Sequence, residues 1–213
     1  MERMSDSTEV VYIVDDDARV REAIQDQMEA NGRKSFGFAS ASEYMEHLRE
    51  DTAACLILDL NLPDLSGLEL QQQLVASTAP TIIFMSGDAD IPSSVRAMKA
   101  GAMEFLVKPV DPQVLLATVE AGLTRDRKRR RRSAELSGLQ ARLKLLTPRE
   151  RDVLPLIVAG FLNKQAAAKL GISEVTLQVH RGQIMRKMQA PSFAELVRMS
   201  ERLGVRLPAP DGA

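Results

Sequence analysis

The chain has 213 residues, of which 45% are hydrophobic and 27% charged, the balance of a globular protein and not of a disordered one. That length permits one large domain or two small ones, each able to bury a core, and no apolar run approaches the roughly 20 residues of a membrane span. The net charge of −1 conceals an asymmetry, because residues 1–124 hold 9 Lys+Arg against 21 Asp+Glu while residues 125–213 hold 19 against 8. An acidic half joined to a basic half predicts two domains with different partners, the basic one suited to nucleic acid. The start, MERMSDSTEV, lacks the apolar stretch of a secretory signal. The single cysteine, Cys55, lies in the apolar run AACLIL and reads as a buried core thiol with no internal disulfide. A cytosolic protein is expected.

In chain order, Val10 to Val14 is a short β-branched run that stops at Asp15-Asp16-Asp17, as a strand buried on both faces would. Arg19 to Asn31 places Val20, Ile24 and Met28 on one helical face and closes with Asn31-Gly32. Lys34 to Phe38 predicts a second strand, and Ser40 to Glu50 a helix capped by Ser40 or Ser42. A third strand, Ala54 to Leu58, ends at Asp59, and a helix follows from Leu68 to Ala76. Thr81 to Met85 is a fourth strand ending at Ser86-Gly87, and Pro92 suits the first turn of a helix that Gly101 ends. Phe105 to Val107 is a fifth strand, ending at Lys108-Pro109. Five strands alternating with helices predict a doubly wound parallel sheet.

Asp15 and Asp16, Asp59, Ser86 and Lys108 each follow the last apolar residue of a different strand. Sites in open α/β sheets form outside the carboxyl ends of the strands, so these residues should converge. Three converging carboxylates repel one another unless a divalent cation neutralises them, and an all-oxygen ligand set favours Mg²⁺. One aspartate can then attack phosphorus, while the metal, an ammonium and a hydroxyl neutralise the transferred oxygens. A single strand-end aspartate is more often a helix cap, but five polar residues at four strand ends would have to coincide by chance.

The motifs VYIVDDD, LILDLNLPDLSG, FMSGDAD and AMKAGAMEFLVKP resemble, in order and spacing, the receiver domain of two-component response regulators. The resemblance spans about residues 9–123 and implies a flavodoxin-like, CheY-like fold. It implies that Asp59 accepts the phosphoryl group, that Asp15, Asp16 and Asp59 hold Mg²⁺, and that Asn61 adds a backbone carbonyl ligand. It further implies that Ser86 and Lys108 contact the phosphoryl oxygens and that Lys108-Pro109 is cis. Phe105 stands at the family's switch aromatic position and reads equally as a half-buried core residue.

From Asp111 to about Leu146 the pattern is helical, with Val114, Val119 and Leu123 on one side early and Leu136, Leu139, Leu143 and Leu146 later. Gly122 and Gly138 weaken it by about 1 kcal/mol each. One long linker helix is expected, its leucines either pairing with a second chain or covering the protein's own domains. The run from Arg125 to Arg132 reads equally as a phosphate-attracting segment and as a solvated linker.

Thr147-Pro148-Arg149-Glu150 is a capping box opening a helix to Ala159. Pro155 should kink or break that helix, since a proline there removes a hydrogen bond and clashes with the turn before it. Asn163 to Leu170 ends at Gly171, Ser173 caps a helix to about Gln189, and Pro191-Ser192 opens another through Leu203. Two short helices, a tight turn and a longer helix make a helix-turn-helix. In the longer one, Val175, Leu177, Ile184, Met185 and Met188 are the expected inner face. The stretch from Leu146 to Met188 resembles the LuxR-type DNA-binding domain, and the whole chain resembles FixJ/NarL-family response regulators, nearer the FixJ branch. By that resemblance Gln178 and Val179 face base edges, Lys164, Thr176, His180 and Arg181 face phosphates, and Gly182 lies on the same surface.

The expected organisation is a receiver over 1–123, a helical basic linker over 124–146 and a small all-α helix-turn-helix domain over 147–213. The resemblance implies a sensor histidine kinase, double-stranded promoter DNA, RNA polymerase and a phosphorylation-dependent homodimer as partners, with no membrane. An external phosphotransferase and a constitutive DNA-binding protein are the competing readings. The first would need a general acid near the nucleophile, which Asn61 cannot supply.

Overall fold

The computed structural model describes residues 9–74, 79–87, 90–206 and 208. The first unit contains β1 (Val10–Val14), α1 (Ala18–Ala30), β2 (Lys34–Phe38), α2 (Ala41–Glu46), β3 (Ala54–Asp59), α3 (Gly67–Leu74), β4 (Thr81–Ser86), α4 (Ile91–Lys99) and β5 (Glu104–Val107). All strands are parallel in the order β2-β1-β3-β4-β5. β1, β3 and β4 are buried along their whole length, which is why their sequences read as unbroken apolar runs. One core layer holds Tyr12, Leu56, Leu58 and Phe84, and the other holds Ile13, Met28, Ile57 and Ile83.

The helix expected over Ser40 to Glu50 is shorter, Ala41–Glu46 with Ser40 as cap. Beyond it the chain turns at His47, whose ring lies 5.0 Å from Phe36 and 5.1 Å from Phe38. The Tyr12 hydroxyl accepts the Glu50 N–H, so tertiary packing overrides helical continuation there. The end of the helix expected to Ala76, and Asp88-Ala89 of FMSGDAD, lie outside the described residues.

Helix α5 (Pro112–Lys144) is continuous, and the division between the two compact units falls within it, between Arg130 and Arg131. Leu115, Val119 and Leu123 make its buried line, whereas Val114 is 49% exposed. The expected Val114 is thus replaced by its neighbour, which sits at the four-residue spacing from Val119. Gly122 is no weak point, because a Cβ there would lie 2.8 Å from the Cys55 Sγ. Close seating of α5 on β3 requires the missing side chain.

In the second unit Leu139 and Leu143 of α5 cover their own domain, with Leu146 just beyond the helix end. Leu139 and Leu146 are buried in one core with Val153, Leu154, Ile157, Leu177, Ile184 and Leu196. That core is enclosed by α6 (Pro148–Val158), α7 (Asn163–Leu170), α8 (Glu174–Met188) and α9 (Phe193–Arg202). The Thr147–Glu150 capping box is present. The break expected at Pro155 does not occur, since α6 runs through it to Val158. One N–H is missing, but Val153, Leu154, Leu156 and Ile157 around it are buried, and that packing outweighs the local cost. Gly171 closes α7 with φ 65°, a conformation glycine adopts without strain.

Candidate functional site

The strand register brings the polar strand ends together. Val14 pairs with Leu58, so Asp15 stands level with Asp59; Asp59 pairs with Met85 and Ser86 with Val107. Asp15 is 1% exposed, Asp59 is 6% exposed and Asp16 is solvent-facing. Each of the three can offer a carboxylate oxygen within 4.8 Å of the others. Lys108 Nζ donates to Asp15 Oδ2 at 2.6 Å and to Asp59 Oδ2 at 2.7 Å. The second oxygen of Asp59 accepts the Asn61 N–H at 3.2 Å. Burial pushes the Asp15 carboxyl above its usual range despite the opposing hydrogen bond from Lys108. Burial lowers the Lys108 ammonium, yet its bonds to Asp15 and Asp59 leave it raised. Three carboxylates against one ammonium, with oxygen donors only and Asp16 open to water, fit a hard divalent cation such as Mg²⁺.

Ser86 is fully buried at the end of β4, and its carbonyl accepts the Lys108 N–H at 2.8 Å. The Lys108-Pro109 bond is cis. Phe105 is half-buried, its ring stacked 6.0 Å from Phe84. Two supporting residues carry no chemical signature in the sequence. A Cβ on Gly67 would lie 2.2 Å from the Asp59 carbonyl oxygen and 3.0 Å from the Phe84 ring, so only glycine lets α3 start this close to the acceptor. Asp64 accepts from the Ser42 hydroxyl and from the Ala41 and Ser42 N–H groups, and those bonds lower its carboxyl to about 2. It ties the loop after Asp59 to α2.

In the second unit α7, the Gly171 turn and α8 form the helix-turn-helix. Leu177, Ile184 and Met188 are buried and Met185 is half-buried, but Val175 is 72% exposed. Its expected inner position is therefore incorrect: at about 100° per residue, Val175 projects nearly opposite the Leu177–Ile184–Met188 line. Lys164, Thr176, Gln178, Val179 and Gly182 are exposed, while His180 and Arg181 are half-buried. Arg181 donates to Asn163 Oδ1 at 3.2 Å and lies over the Phe193 ring at 4.5 Å, so it also joins α8 to α7 and α9.

The basic run proves to be largely engaged. Arg127 pairs with Glu9, Arg129 with Asp126 and the Ala79 carbonyl, Arg130 with Asp126 and Asp51, and Arg131 with Glu135. Asp126 is fully buried and also accepts the Ala54 N–H at 3.0 Å. Its position inside an arginine run gave no hint of this role.

Residues 11–120 match the response regulator receiver domain, and residues 144–200 match bacterial regulatory proteins of the luxR family. Nodulation protein W of Bradyrhizobium diazoefficiens is 43% identical over 92% of this chain and 87% of its own length. Response regulator protein TodT of Pseudomonas putida is 42% identical over 95% and 90%. The solved structure of response regulator StyR superposes with a TM-score of 0.81 at 43% identity, covering 92% of this chain and 99% of that one. The chain belongs to the two-component response regulators with a receiver and a LuxR-type helix-turn-helix domain. Such a regulator is a transcription regulator and not an enzyme acting on external substrates, which removes the phosphotransferase alternative. The receiver implies a cognate histidine kinase, and the LuxR-type domain implies DNA. No helix among the described residues is long and apolar enough to cross a membrane.

Proposed function

We propose that a sensor histidine kinase loads Asp59 and that loading promotes homodimerisation and binding to double-stranded promoter DNA. The regulator then activates transcription through RNA polymerase in the cytoplasm. The observation that carries this reading is Lys108 bridging Asp15 and Asp59 beside Asp16 at the strand ends. An Asp59 carboxylate oxygen forms the bond to phosphorus as the bond from phosphorus to the kinase imidazole nitrogen breaks, and that nitrogen keeps the electron pair. Mg²⁺ held by Asp15, Asp16, Asp59 and the Asn61 carbonyl would neutralise the carboxylates and the transferred oxygens. Lys108 exchanges its bond to Asp59 for one to a phosphoryl oxygen, and the Ser86 hydroxyl turns to another.

The shift of Ser86 and Lys108 reaches the surface through Phe105 and α4. There Ile91, Val95 and Met98 stand at spacings of four and three, exposed by 79%, 44% and 43%, beside Val107 at 58%. An apolar stripe of that kind suits a second copy of the chain. The dimer presents two α8 helices to two half-sites, with Gln178 and Val179 at base edges and Gly182 on the same surface. Lys164, Thr176 and His180 contact phosphates, with the remaining N–H groups of Arg181.

The test is titration of promoter fragments together with light scattering, with Mg²⁺, before and after beryllofluoride, using Asp59→Ala as control. Affinity and dimer content should each rise at least about tenfold in the natural protein and not in the variant. No change despite confirmed modification would favour the constitutive reading.

A further inference from the structure

Val175 and Val179 are large apolar side chains exposed by 72% and 57%, one turn apart on α8. With Gly182 they follow spacings of four and three, so all three share one line down the helix. That line lies opposite the buried Leu177, Ile184 and Met188. It is the centre of the outward face and carries no charge for its first two turns. Beyond Gly182 a Cβ would meet nothing within 4 Å, so packing does not demand the glycine and its effect is to leave the surface low. Scattered exposed valines are ordinary, but these two occupy the middle of the face that the helix-turn-helix reading presents to DNA.

We infer that Val175 is a specificity-determining residue that acts with Val179 to read thymine 5-methyl groups in the major groove. The inference rests on the DNA-binding reading above and adds the base-pair class that is read. Thymine is the base whose major-groove edge offers a methyl group. The two valines are separated by about 6 Å along the axis, close to two base steps of about 3.4 Å. Each half-site therefore carries two thymine methyls no more than two steps apart, and Gly182 lets the helix backbone approach them.

The experiment selects binding sites from randomised duplex DNA with the beryllofluoride-treated full chain. Each thymine of the selected site is then replaced by uracil, which removes the methyl group and nothing else. Uracil at each of two positions should weaken binding about fourfold, the effect of one lost methyl contact. The slope of log affinity against log salt should be unchanged, because no phosphate contact is lost. Val175→Ala, on an exposed position that alanine suits, should abolish the penalty at one position and keep the other; Val179→Ala should do the converse. Uracil-insensitive sites, or a Val175→Ala protein that keeps both penalties, would overturn the inference while leaving DNA binding intact. Failure to enrich any DNA would overturn the underlying reading as well, and is distinct from either result.

Discussion

The run from Arg125 to Arg132 and the helix α8 treat their cations alike but differ in what they leave for a partner. The run holds seven basic residues in eight positions, yet Arg127, Arg129 and Arg130 bind groups of the receiver and Arg131 binds Glu135. In α8, Arg181 packs on Phe193, Lys187 pairs with buried Glu150, and Arg186 donates to Gln183. The outer line of α8 is uncharged over its first two turns, with Val175 and Val179 exposed there. Charge density along a sequence counts cations, whereas recognition depends on those the fold leaves unengaged.

The sharpest way to break this comparison is Asp126→Ala. If Arg129 and Arg130 belong to the receiver, the variant leaves the Ala54 N–H without its acceptor and takes from Arg129 and Arg130 one of the two acceptors each has. Urea unfolding of the receiver should then show a loss of about 2–4 kcal/mol, with DNA affinity of the C-terminal unit unchanged. An unaltered receiver would mean that the run is a solvated linker after all.

Gly122→Ala probes the seat that presents the run. The added Cβ should cost about 1–3 kcal/mol through its contact with Cys55. Its other neighbours stand at 3.6 Å, so most of that cost should vanish in a Cys55→Ala background. A double-mutant cycle measures the coupling, and additive effects would refute the contact.

The smallest effect sharpens the α8 side. Burial pushes the Glu150 carboxyl up, but Lys187 and Thr147 together hold it below its ordinary value of 4.5. A depressed carboxyl contributes stability that is present above its unfolded value and lost as pH falls through the lower folded one. Glu150→Gln should thus cost about 1–2 kcal/mol at pH 7, with the gap to the natural protein closing below pH 4.5. A gap that persists in acid would mean that Lys187 is held by something other than this carboxylate.

The receiver was legible because its chemistry sits at places the alternation of the sheet defines. An apolar run that stops at an aspartate marks a strand end, and the parallel register does the rest, so Asp15, Asp59, Ser86 and Lys108 converge as expected. Gly67 and Asp126 were not legible. Their roles arise from close approaches between segments far apart in sequence, and neither close steric contact nor a buried acceptor among arginines has a local pattern. Pro155 and Val175 failed for the opposite reason, since local rules were applied where the core decides. The α6 core carries a proline through the helix, and rotation along α8, not hydrophobicity, selects which of its apolar side chains are buried.

Cys55 lies at 0% exposure beneath Gly122, and burial pushes its thiol well above the usual range. It is also the chain's single cysteine. The natural protein should therefore be nearly inert to maleimides, which makes it a ready blank for labelling. A cysteine installed at an exposed site such as Arg132 or Gly182 would take a fluorophore or spin label alone. The motions of receiver and reader could then be followed in the full-length chain without first removing a native thiol.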